Sequence, residues 1–240
     1  MILPFDGAIR RRVYLMRHGD VAYFGADGQR VSDSRLVTLT DQGRAEAIAM
    51  RDMLAEVPFD KAICSGLPRT VETGAIVLGG RSVPLETWPD LEEIRGGSPS
   101  QRAQMSPSEY AYAMFASAQE AGSYAHGESF AGFHARVVAA WTKILSTAGW
   151  SALLIAAHGG VNRAVLSHAV GAGRSAYGAF EQDTGCLNVL DVDTAGGGQP
   201  LRQIIRAVNV TPSDPVKATR PLTALEKLAL QAFPQLRAPV

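Results

Sequence analysis

The amino-acid sequence predicts an α/β fold: a three-layer sandwich with a mostly parallel central sheet, helices on both faces and a helical insert. Three observations carry that prediction. Short apolar runs alternate with segments of helical periodicity, the alternation lapses between about 97 and 149, and the chemistry-bearing residues fall where apolar runs end. Strands that alternate with helices build βαβ units, and a parallel sheet made of such units is covered on both faces.

Taken in order, residues 13–16 read as the first buried strand, behind the basic run Arg10-Arg11-Arg12, which reads as a solvated flank. A helix opens on Thr40 as its cap and runs to about 56, with Ala45, Ile48, Ala49 and Met53 as its apolar stripe. Residues 61–64 form the next strand, and Pro68 suits the opening turn of a helix over 68–78. The insert, about 97–149, lies between Gly-Pro joints and holds two helical stretches, 107–119 and 129–146. A strand at 153–157 leads into a helix over 161–170, and strands at 187–192 and 204–208 follow, with Gly196-Gly197-Gly198 as a hairpin tip. Beyond them comes an extended arm over 211–220. Thr223-Ala224-Leu225-Glu226 then has capping-box spacing and opens a short terminal helix. The whole reads as one domain over 1–240, with the arm and helix occupying about 211–240.

Composition narrows the function. Lys+Arg 23 balances Asp+Glu 23, so no global field draws the chain to nucleic acid or to an anionic membrane. Any affinity for anions is therefore local. Cys64 and Cys186 have no metal spacing and read as buried small hydrophobes, and His126, His134 and His168 lack the His-Glu-x-x-His pattern, so no metal site is expected. No leader or membrane span is evident, which makes a cytoplasmic protein the expectation.

Four segments carry chemistry. Arg17-His18-Gly19 leaves the first strand, where catalytic groups of open α/β sheets gather, and places an imidazole beside a guanidinium whose donor fork matches phosphoryl oxygens. Ser65-Gly66-Leu67-Pro68-Arg69-Thr70 follows the second strand, with Arg69 in the first turn of a helix, an anion-favouring position. His158-Gly159-Gly160 repeats the strand-end geometry, its glycines allowing close approach of backbone to a ligand. Glu92-Glu93 precedes the insert, and a carboxyl held against apolar walls there is a proton donor near neutral pH. Two arginines about 4 Å from a phosphoryl group return roughly 4 kcal/mol each at intermediate dielectric and keep a neighbouring imidazole unprotonated, as a nucleophile must be.

The ordered set Arg17-His18-Gly19, Ser65 with Arg69, Glu93 and His158-Gly159-Gly160 resembles the histidine phosphatase superfamily, which includes the cofactor-dependent phosphoglycerate mutases. The resemblance extends to Leu39-Thr40 with Gly43, Leu91-Glu92-Glu93-Ile94 with Gly97, and Gly127-Glu128-Ser129 with Arg136. It implies a phosphoglycerate mutase-like fold and a metal-independent phosphomonoester hydrolase of the histidine acid type. By the same resemblance His18 becomes phosphohistidine, Arg17, Arg69, His158 and Gly159 form the phosphate pocket, and Glu93 is the proton donor, with Glu92 as its fallback. The catalytic set is thus His18, Glu93 and His158, with no cofactor, a small phosphorylated metabolite as substrate, no nucleic-acid or membrane partner, and a homodimer as an open option.

Gly159-Gly160-Val161 resembles the phosphatase version of a motif that mutases carry as Gly-Asn-Ser, and Gly97 to Arg102 supplies one arginine where mutases have a basic cluster. A mutase is therefore the alternative, and a phosphoester-binding protein without turnover is the second. The chain departs from the family at Val21, where Thr or Ser is usual, and at Phe24, where an Asn that touches phosphate is usual. Tyr110, Tyr112, Met114, Phe115 and Phe133 of the insert read as core by helical spacing.

Overall fold

Six strands, β1 (Ile9–Arg17), β2 (Lys61–Cys64), β3 (Leu85–Thr87), β4 (Ala152–Ala157), β5 (Leu187–Thr194) and β6 (Pro200–Val210), form one sheet in the order β3-β2-β4-β1-β5-β6. The structure is a computed structural model and describes residues 1–240 except 4, 26, 196, 197, 220 and 237–240. Gly196 and Gly197 of the expected hairpin tip lie outside the described residues. β1, β2, β3 and β4 run parallel, while β5 runs antiparallel to both β1 and β6. The sheet is thus mostly parallel, as the alternation predicts.

Strand periodicity sorts the core into two faces. Val13, Leu15, Leu153, Ile155, Leu190 and Val192 meet Phe133, Val137, Trp141 and Ile144 of α5 (Phe130–Ser146) and Val161 and Val165 of α6 (Gly159–Ala169). Met16, Ala62, Leu154 and Leu187 turn the other way, onto Ala47 and Met50 of α1 (Asp41–Met53) and Val77 and Leu78 of α2 (Pro68–Leu78). Alternate residues of one strand therefore feed opposite helical layers. α3 (Pro99–Arg102), α4 (Pro107–Ala111) and α7 (Ala224–Ala232) stand apart, the last two sharing a small cluster of Met105, Tyr110, Ala125 and Ala229. Among the described residues no helix is long and apolar enough to cross a membrane.

Several expectations are corrected. The basic run is not a flank: β1 starts at Ile9, and Arg10 and Arg12 lie opposite Asp193 and Asp191 in register, paired at 2.7 and 2.6 Å. Arg11 turns to the other face, 5% exposed, with its guanidinium 4.1 Å above the Trp150 ring and donating to the carbonyls of Thr147 (2.7 Å) and Leu145 at the end of α5. The buried stripe of α1 is Gly43, Ala47 and Met50, whereas Ile48 and Met53 are 41% and 47% exposed. Small residues win that face because the helix lies backbone to backbone against the loop after β1. The stretch 107–119 breaks at Tyr112 (φ −111°, ψ 22°) into α4 and 3-10 turns over Ala113–Ala118, where Ser117 and Arg174 exchange side-chain to carbonyl hydrogen bonds of 2.8 and 3.1 Å. β3 is an additional edge strand. The arm after β6 folds into turns around Asp214, which accepts from Ala218 N–H, Thr219 N–H and the Thr219 hydroxyl.

Arg11→Ala removes both the stacking partner of Trp150 and the donors that satisfy the end of α5. It is expected to cost about 2–3 kcal/mol of stability, read as a lowered denaturant midpoint with unchanged slope.

Candidate active site

The ends of β1, β2 and β4 are brought level by register, Arg17 facing Ala157 and Cys64 facing Ala156. The residues that follow, His18, Ser65 and His158, therefore emerge together. His18 is 1% exposed; its N–H donates to Ala157 O (3.0 Å) and its carbonyl accepts from Gly185 N–H (3.0 Å). Ring Nδ1 lies 2.7 Å from the Gly19 carbonyl, which assigns the proton to Nδ1 and leaves Nε2 with its lone pair. The loop is clamped from behind. A Cβ on Gly19 would lie 2.3 Å from Gly43 O, so both positions need glycine, and Thr40 accepts from Gly43 N–H (3.0 Å) while donating to Asp20 Oδ2 (2.8 Å).

A chain of hydroxyls positions the second histidine. Thr70 Oγ1 donates to Leu67 O (2.8 Å), so the Ser65 hydroxyl, 2.9 Å away, donates to Thr70. Ser65 then accepts from His158 Nε2–H at 2.8 Å, which turns Nδ1 of His158 towards His18 with no partner of its own. The two imidazoles stand 5.3 Å apart, edge to face. Arg17 donates through Nη1 to Gln182 O (2.6 Å) and Arg69 to Ser34 O (3.1 Å), yet Nε of each is buried without a partner. Arg17 Nε, Arg69 Nε and His158 Nδ1 are thus buried and unpartnered in the cluster around His18. The two arginine Nε–H groups are donors that an entering anion can satisfy, whereas His158 Nδ1, in the tautomer set by Ser65, is an acceptor.

Burial, then the charges of Arg69 and Arg17, hold the His18 pKa well below its ordinary 6.5, against the Gly19 hydrogen bond. For His158 burial again comes first, followed by Arg69, His18, Arg17 and Arg136. Both rings are neutral at physiological pH.

Glu93 reaches the same place from the far side. Its Oε2 accepts from Gly160 N–H (3.0 Å) in the first turn of α6 and its Oε1 from Ile94 N–H (2.9 Å), so backbone amides stand where the sequence suggested apolar walls. Glu92 points away into a fork from Arg35 (2.6 and 2.9 Å) and a bond from Arg95 (3.1 Å). Burial opposes its ionisation, but those partners outweigh it and hold the pKa below the ordinary glutamate value. Arg136 in α5 donates to the carbonyls of Asp90 (2.8 Å) and Glu92 (3.0 Å) and pairs with Glu128, which takes Arg95 N–H (3.0 Å). The insert residues Glu128 and Arg136 therefore brace the acid segment.

A cavity of about 330 Å³ opens over this cluster, with Arg17, Arg69, Glu93, Gly159 and Gly160 at one end and Arg30, Arg102, Tyr110, Tyr124 and Leu228 at the other. Tyr110 and Met114 line it, Phe133 lies in the core, and Tyr112 and Phe115 are 50% and 60% exposed, so the insert aromatics divide rather than share one role. Two groups went unnoticed in the sequence. Gln182, fully buried, braces Arg17 and exchanges two amide hydrogen bonds with Asn188 (3.0 and 2.7 Å), and Arg30 lies in a loop without periodicity. Among the described residues no cluster of three or more metal-ligating side chains occurs.

An α/β sheet that presents two neutral imidazoles and two arginines at its strand ends defines a phosphoryl-binding fold. The chain belongs to the histidine phosphatase superfamily (branch 1), whose sequence pattern matches residues 13–202. It is similar to 2-carboxy-D-arabinitol-1-phosphatase of Triticum aestivum, 29% identical over 223 residues that cover 87% of this chain and 42% of that protein. The chain thus spans less than half the length of that relative. It is also similar to the adenosylcobalamin/alpha-ribazole phosphatase of Salmonella typhimurium, 27% identical over 75% of this chain and 90% of the other. The solved alpha-ribazole phosphatase of Shigella flexneri superposes with a TM-score of 0.66 at 25% identity, covering 82% of this chain and 96% of that one.

A Cβ on Gly160 would lie 2.3 Å from Glu93 Oε1. Gly160→Ala is therefore expected to push the carboxylate aside and lower kcat about tenfold or more while the thermal midpoint stays within a few degrees, checked by steady-state kinetics and calorimetry.

The histidine pKa values also fix a pH dependence. With both folded values below 6.5, the unfolded chain binds protons first, so stability is full above that pH and falls as pH drops through it. Denaturant midpoints measured between about pH 7.5 and 5.5 should fall with pH, and His18→Asn should flatten the slope.

Proposed function

We propose that the protein hydrolyses small phosphomonoesters through a phosphohistidine on His18. The observation that carries this reading is the convergence of Arg17 Nε, Arg69 Nε and His158 Nδ1, all buried and unpartnered, beside an imidazole whose hydrogen bond to Gly19 frees Nε2. Pure phosphate binding needs the arginines but neither a nucleophile nor a carboxyl facing it.

In the first half-reaction His18 Nε2 forms a bond to phosphorus as the ester P–O bond breaks. Arg17, Arg69 and the amide-rich start of α6 take up the charge on the equatorial oxygens, and Glu93 gives its proton to the departing alkoxide. Water then attacks phosphorus, Glu93 takes the proton, the P–N bond breaks and inorganic phosphate leaves. His158, fixed by Ser65 and Thr70, offers the Nδ1 lone pair to a protonated phosphoryl oxygen.

Gly160 supports hydrolysis over mutase chemistry, because a side chain there, as in the mutase motif, collides with Glu93 in this frame. Cys64 and Cys186, both free and buried, support a cytoplasmic setting.

Wild type is expected to hydrolyse p-nitrophenyl phosphate without added metal and to yield an acid-labile, alkali-stable phosphoprotein after rapid quench. His18→Ala should lose both, with kcat down by about a thousandfold or more. Retained turnover in His18→Ala removes the mechanism.

A further inference from the structure

The cavity has a second end whose electrostatics repeat those of the first. Arg30 donates through Nη1 to the Tyr110 hydroxyl (2.6 Å), while its Nε is buried without a partner, the same condition found at Arg17 and Arg69. Its guanidinium carbon lies 5.5 Å from the Tyr23 ring centre and 5.6 Å from that of Phe24, whose backbone forms an antiparallel bridge with Arg30. Arg102 stands near it, donating to Gly97 O, and burial and the charge of Arg30 both press its pKa down.

Other arginines of the rim are neutralised: Arg35 and Arg95 by Glu92, and Arg163 by Glu181 (2.8 Å). Among the described residues no carboxylate pairs with Arg30 or Arg102. Two like charges held together in a half-buried cavity repel unless an anion sits with them. Met105 and Leu225 complete the cavity wall beside Tyr124 and Leu228. Leu225 and Leu228 belong to α7, beyond the residues that match the family pattern.

We infer that Arg30 and Arg102 form a second anion subsite, so that the substrate is a phosphomonoester carrying a further carboxylate or phosphoryl group on the part that leaves. This rests on the hydrolase reading for the inner end of the cavity and names the class of substrate that end receives. The remote anion satisfies Arg30 Nε, relieves the repulsion and draws the ester into line with His18, while the α7 leucines cover the carbon skeleton. Binding energy away from phosphorus is then available for orientation.

The test uses the full chain with His18→Ala, which binds esters without turning them over, and matched ligands followed by calorimetry. 3-Phosphoglycerate against glycerol 3-phosphate tests a carboxylate, and fructose 1,6-bisphosphate against fructose 6-phosphate tests a second phosphoryl group. At least one anionic member is expected to bind about tenfold or more tightly than its neutral counterpart, the scale of one charge-assisted hydrogen bond, and Arg30→Gln or Arg102→Gln in the same background should erase that ratio. Whichever pair shows the larger ratio identifies the anion. Equal affinities within both pairs, no binding of any ester, or a ratio that survives both substitutions in folded protein overturns the subsite. Wild-type turnover of the same esters is measured separately: its absence, with the ratio intact, overturns the hydrolase reading and leaves the subsite standing.

Discussion

Uncompensated positive charge at the strand ends is the constraint on which the rest of the structure depends. Arg10 and Arg12 are paired with Asp193 and Asp191, but Arg17 and Arg69 keep buried Nε groups with no acceptor. Burial, and then the field of these arginines, keeps His18 and His158 neutral. Such a cluster would scatter on a compliant scaffold. It is held by backbone-to-backbone contacts that only glycine permits, Gly19 against Gly43 and Gly127 against the Gly96 carbonyl carbon, where a Cβ would lie at 2.3 Å in each case.

The two adjacent glutamates show how the same field divides labour. Glu92 is surrendered to Arg35 and Arg95 and serves structure, closing the rim of the cavity. Glu93, one residue on, is aimed inward because Arg136 grips the carbonyls of Asp90 and Glu92 and Gly160 leaves room for its carboxylate. An unbraced acid beside two arginines would swing onto one of them and neutralise the pocket. The insert therefore acts at a distance: through Glu128 and Arg136 it keeps the Glu93 carboxyl on the Gly160 and Ile94 amides rather than on the cations.

The sequence made the strand-end chemistry legible because a buried strand that stops at a charged residue, followed by glycine, has few other uses. Arg17, His18, Arg69, Glu93, His158 and Gly159 were found that way or by family resemblance, and the fold brings them together. What was not legible depends on partners far along the chain. Arg10-Arg11-Arg12 looks solvated until β5 brings Asp191 and Asp193 opposite it, and no local window contains that pairing. Apolar periodicity misplaces the α1 stripe because it favours large side chains, whereas the real contact is close approach through Gly43 and Ala47. Residues 107–119 have helical propensity throughout, and the ties between Ser117 and Arg174 override it after Tyr112. Gln182 carries no signal at all, since it meets Arg17 through its backbone carbonyl while its side-chain amide is tied to Asn188.

The departures from the family pattern take on sense in the same terms. By the resemblance, Val21 and Phe24 occupy positions that are usually polar, and neither side chain can hydrogen-bond a phosphoryl group. In this fold Val21 forms an antiparallel bridge with Leu39, which shuts the loop against the Thr40 clamp, and Phe24 bridges and stacks on Arg30. If the outer arginines hold the leaving group as inferred, a cation supported by Phe24 stands at that end of the cavity, while neither Val21 nor Phe24 offers a hydrogen bond to the phosphoryl end. Contacts to the phosphoryl group are common to all phosphomonoesters and discriminate little among them, whereas contacts to the leaving group differ from one ester to the next. On that inference, arginine support at the outer end favours selectivity over breadth, and the proposed roles of Arg17, Arg69 and His158 concern the step every substrate shares.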